Sequence, residues 1–171
     1  MNLKSHIVNI EAGINGLKSA FDFELSEQSK VNLPPRIRMA ALYAVSQSYN
    51  GRVANTCNLS EDWVGYSTRY GDAAGDFSPI SNLTVSEVRK IGAVLNLPDK
   101  LVNKVPNDGL SNQSDEDKLG VKYKDIAAHM NGEEVDPEVE AKIEKLHNGC
   151  AHKFNHPSYK VDQEKEYQSC Y

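Results

Sequence analysis

Of the 171 residues only three are cysteine, at 57, 150 and 170, and only one is tryptophan, Trp63. An odd, sparse set of thiols cannot make a disulfide framework and fits a reducing compartment, so a cytoplasmic protein is expected. Positive charge is not in excess. Lys plus Arg number 19 against 24 Asp plus Glu, for a net charge of −5 and a pI near 5.5. That balance advertises no face for nucleic acid or an anionic membrane. Long apolar runs are lacking too. The longest, Met39 to Val45, is far too short to span a bilayer. The opening MNLKSHIVNIEAG has no charged n-region leading into an apolar h-region, so no signal peptide is expected. Convincing strands are scarce, and no glycine-rich phosphate loop is present. Gly13 to Ser19, GINGLKS, fits no Walker A pattern, and its Ile14 and Leu17 belong to a helical stripe.

What is present reads as a series of helices. Hydrophobic content of 39% and charged content of 25% are those of a globular chain able to bury one core. Ile10, Ile14, Leu17 and Phe21 form an amphipathic stripe, with Asn9 as its N-cap. Pro34 and Pro35 are predicted to open a second helix running through Ile37, Ala41 and Val45 to near Gly51. Thr84 with Glu87 makes a capping box ahead of Val88, Ile91 and Leu95. Pro98 and Pro106 bracket a short helix, and Ser114 with Asp117 starts another. Asp136-Pro137 caps a last helix through Val139, Ile143 and Leu146, which Gly149 is predicted to end. Arg52 to Thr56 is the one good strand, with His6 to Val8 as a strand remnant. Residues 1–160 read as one domain and 161–171 as a polar tail. So few strands cannot build a layered α/β domain alone, because a strand needs neighbours for its backbone groups.

The richest chemistry lies from Asn55 to Pro79. Thr56, Glu61, Arg69, Asp72 and Asp76 crowd there, offering hard oxygens for Mg²⁺ or ribose hydroxyls and a cation for phosphate. Gly65, Gly71 and Gly75 are read as letting the backbone approach a ligand. Each feature has a plain rival. Glu61 reads equally as a solvated first-turn acid, Asp72 and Asp76 as turn residues, and Arg36 with Arg38 as an exposed helix pair. Trp63 and Tyr66 read as packing. Asp115 to Asp117 read as a charged first turn, and Lys118 as a charge outside any site. His147, Cys150, His152 and His156 offer zinc donors, but their spacing matches no common structural zinc site.

The order of the motifs decides between these readings. Arg36-Ile37-Arg38-Met39 is followed by Asn55-Thr56-Cys57-Asn58-Leu59-Ser60-Glu61, then Gly65-Tyr66-Ser67-Thr68-Arg69-Tyr70-Gly71-Asp72 with Asp76. Pro79-Ile80 with Leu83, Lys104-Val105-Pro106, Gln113-Ser114-Asp115-Glu116-Asp117-Lys118-Leu119-Gly120 and His152-Lys153 complete the series. This order resembles the ammonia-dependent NAD⁺ synthetase family over roughly residues 5 to 155.

The resemblance implies an adenine nucleotide alpha hydrolase-like, Rossmann-like α/β three-layer fold, of which this chain would be a helix-rich partial domain with few strands. It implies ATP-dependent amidation of deamido-NAD⁺ with ammonia through an acyl-adenylate, with Mg²⁺ required, in a cytoplasmic homodimer. By motif, Thr56 and Asn107 fall at ATP positions and Glu61 at a metal position. Arg36, Arg69, Asp76, His152 and Lys153 fall at deamido-NAD⁺ positions, in a convergence completed across the dimer. No residue is assigned as catalytic. The chain departs from the family in lacking the S-G-G-x-D-S pyrophosphate loop, so it is expected to be a C-terminal portion and inactive by itself. Arg69 stands where lysine is common, Val85 where many members have lysine, and Asn107 where Thr or Ser is common. The alternative reading is a non-catalytic remnant, a dimerisation or dinucleotide-binding module.

Overall fold

The computed structural model describes residues 4–107 and 113–155. Eight helices follow one another there: α1 Glu11–Ser19, α2 Glu27–Ser48, α3 Leu59–Val64, α4 Val85–Val94, α5 Asp99–Val102, α6 Asp115–Leu119, α7 Tyr123–Met130 and α8 Pro137–Phe154. Local chemistry explains most of the starts. The Thr84/Glu87 and Ser114/Asp117 capping boxes form as predicted, and the Asp136 carboxylate accepts from the Glu138 and Val139 amides. A further box, Asn58 with Glu61, starts α3. Asn9 accepts from the Glu11 amide at 2.8 Å, although the cap position itself falls on Ile10.

Two predicted boundaries are overturned. The second helix begins at Glu27, and Pro34 and Pro35 lie in its interior. Each proline removes one i→i−4 amide. The start is nonetheless held by Ser26, whose hydroxyl accepts from Ser29 N, and by Lys30 paired with Glu24 and Glu27 at 3.1 and 2.8 Å. At the other end of the chain, α8 does not stop at Gly149 but runs to Phe154. A helical glycine costs about 1 kcal/mol. Cys150 is buried against α3, and Lys153 reaches back to two loop carbonyls, so tertiary contacts hold the last turns.

The predicted sheet elements are also corrected. Arg52 to Thr56 is not a strand, and the described residues contain only an isolated parallel bridge between Ala54 and Phe77. Asn55 N donates to Phe77 O and Asp76 N to Val53 O, both at 2.8 Å, while the Val53 amide goes to the Asp76 carboxylate. That side chain takes the place of a neighbouring strand. His6 to Val8 pairs with nothing strand-like, and Ile7 is 99% exposed. The described part is therefore helix-rich, and no three-layer α/β sheet exists within it.

The core lies where α3, α7 and α8 meet. Val64, Val121, Tyr123, Ile126 and Ile143 are buried there, the two isoleucines completely. Trp63, Tyr66, Val85, Leu119, Met130, Val139 and Leu146 pack around them, so Trp63 and Tyr66 are packing residues as expected. Three glycines are demanded by close packing, in this core or beside it. Gly65 ends α3 at φ +66, and a Cβ there would lie 2.2 Å from Cys150 Cβ. A Cβ on Gly75 would lie 2.7 Å from the Asn55 backbone nitrogen. Gly71 likewise abuts Pro35 and Thr68. All three sit close to protein, so packing by itself requires a glycine at each position.

Candidate functional site

An open groove of about 1000 Å³ runs between α2, the loop after α3, α6 and the end of α8. On α2 it touches Gln28, Val31, Asn32, Pro35, Arg36 and Arg38. From the loop come Gly65 to Arg69 and Asp72, from the α6 region Gln113 and Lys118, and from α8 His152 and Lys153. The loop is shaped by its own hydrogen bonds. Asp72 accepts from the Thr68 amide at 3.1 Å, and the Thr68 hydroxyl meets the Asn32 side chain on α2 at 2.8 Å.

Four of the five residues expected to bind deamido-NAD⁺ line this groove: Arg36, Arg69, His152 and Lys153. Arg36 Nε donates to the Arg69 carbonyl at 3.2 Å, which links helix and loop. The Arg69 guanidinium lies over the Tyr70 ring, 4.9 Å from its centroid. Lys153 is no mobile charge. Its ammonium donates to Gly65 O at 2.5 Å and Ser67 O at 2.7 Å, tying α8 to the end of α3. His152 Nδ1 lies 3.1 Å from the Gly149 carbonyl. A carbonyl only accepts, so a neutral His152 carries its proton on Nδ1 and presents Nε2 as an acceptor.

Asp76 is the exception. It lines a second hollow of about 450 Å³ with Tyr43, Ser46, Gln47, Asn50, Gly51 and Arg52. Within one chain the expected five residues therefore do not all meet. Thr56, Glu61 and Asn107 do not line the groove either. Thr56 is exposed just before α3, and the Asn107 amide donates to Gln113 O at 2.8 Å.

Glu61 combines two of its readings. Its carboxylate accepts from Asn58 N at 2.8 Å in the capping box, yet it is not a solvated surface acid. Burial pushes its pKa up to about 7. The Asn58 amide opposes that, and the charges of Asp115, Asp62 and Asp72 add to it. A half-buried carboxylate with acidic neighbours suits a hard cation. The described residues hold no group of three or more His, Cys, Asp or Glu placed to bind a metal, so Glu61 could supply only one ligand among several. The zinc pattern falls apart. His147 Nδ1 faces Trp63 O at 2.9 Å, the Cys150 thiol faces His147 O at 3.0 Å, and His156 lies outside the described residues.

Two lining residues were missed or misplaced by sequence reasoning. Lys118, though exposed, lines the groove, and Arg38 belongs to it as well. The signal for Arg38 was available: it lies three residues after Pro35 and seven after Val31, on the same stripe of α2.

An open groove lined by arginines and lysines on an acidic chain has the charge that suits an anionic ligand. Comparison with known proteins makes the family plain. The NAD synthase family model matches residues 1–157, and this chain belongs to that family. The NH(3)-dependent NAD(+) synthetase of Mycoplasmopsis pulmonis is 36% identical over 162 residues, which is 93% of this chain and 63% of that protein. The Thermococcus sibiricus enzyme of the same name is 39% identical over 125 residues, 72% of this chain and 49% of its own length. Among solved structures, NMN synthetase from Francisella tularensis superposes with a TM-score of 0.88 at 32% identity, covering 93% of this chain and 67% of that one. NH3-dependent NAD synthetase from Campylobacter jejuni gives 0.72 at 28% identity, covering 90% and 64%. The chain thus spans roughly half to two thirds of the length of the curated relatives it matches.

Proposed function

We propose that this chain carries the deamido-NAD⁺ groove of an ammonia-dependent NAD⁺ synthetase. In that reaction ATP adenylates the nicotinate carboxylate, pyrophosphate leaves, and ammonia displaces AMP to give NAD⁺. The observation that supports this best is the meeting of Arg36, Arg69, His152 and Lys153, scattered over more than a hundred positions, in one groove. Arg36 and Arg69 offer guanidinium forks to phosphate or carboxylate. Lys153, held by the Gly65 and Ser67 carbonyls, fixes the loop that carries Arg69 and adds its charge to the wall. Most of this is positioning and charge neutralisation. Asp76, in its separate hollow, would serve the groove of a second subunit in a cytoplasmic homodimer.

Thr56 and Asn107 would contact ATP, and Glu61 would hold a Mg²⁺ that neutralises its phosphates. No S-G-G-x-D-S loop occurs in the sequence, so holding the pyrophosphate needs groups beyond this chain, in the three-layer α/β sheet that the fold family implies. The chain by itself is expected to bind deamido-NAD⁺ weakly and ATP poorly, and to make no NAD⁺. Calorimetric titration of the purified chain tests this. Arg69→Ala should weaken dinucleotide binding by about 1–3 kcal/mol, the scale for losing a charged hydrogen-bond partner. A folded chain that binds no dinucleotide, or binds it equally with and without Arg69, sinks the reading and leaves a non-catalytic remnant. Clear turnover by a contaminant-free sample would overturn the expected inactivity.

A second reading has its own support in the high TM-score to an NMN synthetase. The groove would then take a mononucleotide carboxylate, with NMN as product. Titrating nicotinate mononucleotide beside deamido-NAD⁺ separates the two by which binds more tightly.

A further inference from the structure

We propose that Arg38 is a further anion-binding residue of the groove, engaging a phosphate of the bound nucleotide opposite the Arg36–Arg69 side. This rests on the reading of the groove as a nucleotide site. The face that α2 turns to the groove is centred on Gln28 and Pro35, seven residues apart. At 3.6 residues per turn, Arg36 falls on one flank of that stripe and Arg38 on the other. The two arginines therefore do not duplicate each other but stand at opposite borders of one helix face.

Their states differ. Arg36 is committed to the Arg69 carbonyl and Arg69 to the Tyr70 ring. Lys153 is committed to two carbonyls. Arg38 is exposed and makes no hydrogen bond or ion pair with any described residue. Among the described residues, Arg36, Arg38, Arg69, Lys118 and Lys153 line the groove with Asp72 as the one acidic residue, on a chain whose net charge is −5. A local surplus of cations against the overall charge is held for an anion. Two of the lining residues also carry unsatisfied polar atoms: Ser67 Oγ and Arg69 Nε are buried without a hydrogen-bond partner among the described residues. Buried polar atoms in that state call for a ligand or water. Two linked phosphates offer one anionic group to each flank of the helix, whereas a single carboxylate offers only one.

The test compares Arg38→Gln, Arg38→Lys and a control, Arg89→Gln on exposed α4, by calorimetry against deamido-NAD⁺ and inorganic pyrophosphate at low and high salt. Arg38→Gln should bind deamido-NAD⁺ about tenfold more weakly, on the scale of one lost charge-assisted hydrogen bond. Its affinity should also fall less with added salt than that of the parent. Arg38→Lys should lie between. Arg89→Gln should match the parent, and all three variants should melt as the parent does. Deamido-NAD⁺ binding within twofold of the parent by Arg38→Gln overturns the proposal while leaving the dinucleotide site standing. If the parent binds no dinucleotide, the site reading falls, and Arg38 is judged on pyrophosphate alone. There the same tenfold loss sustains an anion subsite, and equal binding or none overturns it.

Discussion

The stripes of α1, α4 and α8 were equally legible in the sequence and α7 was not read at all, yet only the unit that α8 forms with α3 and α7 closes over its apolar side. Ile126 and Ile143 are 0% exposed at the junction of α3, α7 and α8. On α4 and α5, by contrast, Val94 is 80% exposed, Leu95 64% and Leu101 60%. α1 packs on α2 but buries none of its residues. The same kind of stripe is thus a core in one place and a bare face in another. A hydrophobic period reports that a helix has a side to cover and says nothing about which segment covers it. The groove lies between these regimes: α8 and the α3 loop give it a fixed wall, and α2 gives it a wall with less packing behind it.

Several substitutions would break or sharpen this contrast. The largest effect is expected in the closed unit. Ile126→Ala should cost about 2–5 kcal/mol, the range for truncating a buried isoleucine, measured by urea unfolding. A cost below about 1 kcal/mol would mean that the α3–α7–α8 junction is not a true core. Next comes Gly65→Ala, which meets both a left-handed φ of +66 and Cys150 Cβ at 2.2 Å. A loss of about 2–3 kcal/mol is expected, with disturbed nucleotide binding because Lys153 is anchored at the same carbonyl.

Glu61→Gln should show a dependence on pH. Burial raises the folded-state pKa of Glu61 from 4.5 to about 7, so between those values the folded chain holds more protons than the unfolded chain. Stability contributed by protonated Glu61 is complete below pH 4.5 and is lost as pH rises through 7. Glutamine can keep the capping contact to Asn58 without the charge. The variant should therefore be more stable than the parent at pH 8 by about 1–2 kcal/mol, and nearly equal at pH 4.5, in thermal melts. It should also lose any stabilisation by Mg²⁺ that the parent shows. Equal melting of both proteins at pH 8 would remove the buried-acid account. The smallest effect belongs to the open face. Val94→Lys should change stability by no more than about 0.5 kcal/mol while reducing self-association in sedimentation, and a large destabilisation would show that this face is covered in solution.

Much of the candidate site could be read from residue order, because motif spacing carries chemistry without needing coordinates. Arg36, Arg69, His152 and Lys153 were nameable that way and do share a groove. The reading went wrong where a role depends on what lies across space. Lys118 stands in a charged turn and looks solvated, yet it lines the groove. Gly65, Gly71 and Gly75 are needed to make room for Cys150, Pro35 and Asn55, which no local pattern shows. The solvated-acid rival for Glu61 falls only once burial is known, and Asp76 sits in a hollow of its own, with its carboxylate on the Val53 amide.

By itself the sequence determined most of the helices, α7 excepted, and several of their starts, since caps such as Thr84/Glu87, Ser114/Asp117 and Asp136-Pro137 act over three or four residues. It also determined the family, through motifs in a set order. Only the tertiary structure decided that α2 runs through Pro34 and Pro35, that α8 runs past Gly149, and that Arg52 to Thr56 stays a single bridge. The Ser26 cap and the burial of Pro35 carry α2 through its prolines, long-range contacts of Lys153 carry α8 past a glycine that costs about 1 kcal/mol, and the strand went without the neighbours that would have made it one.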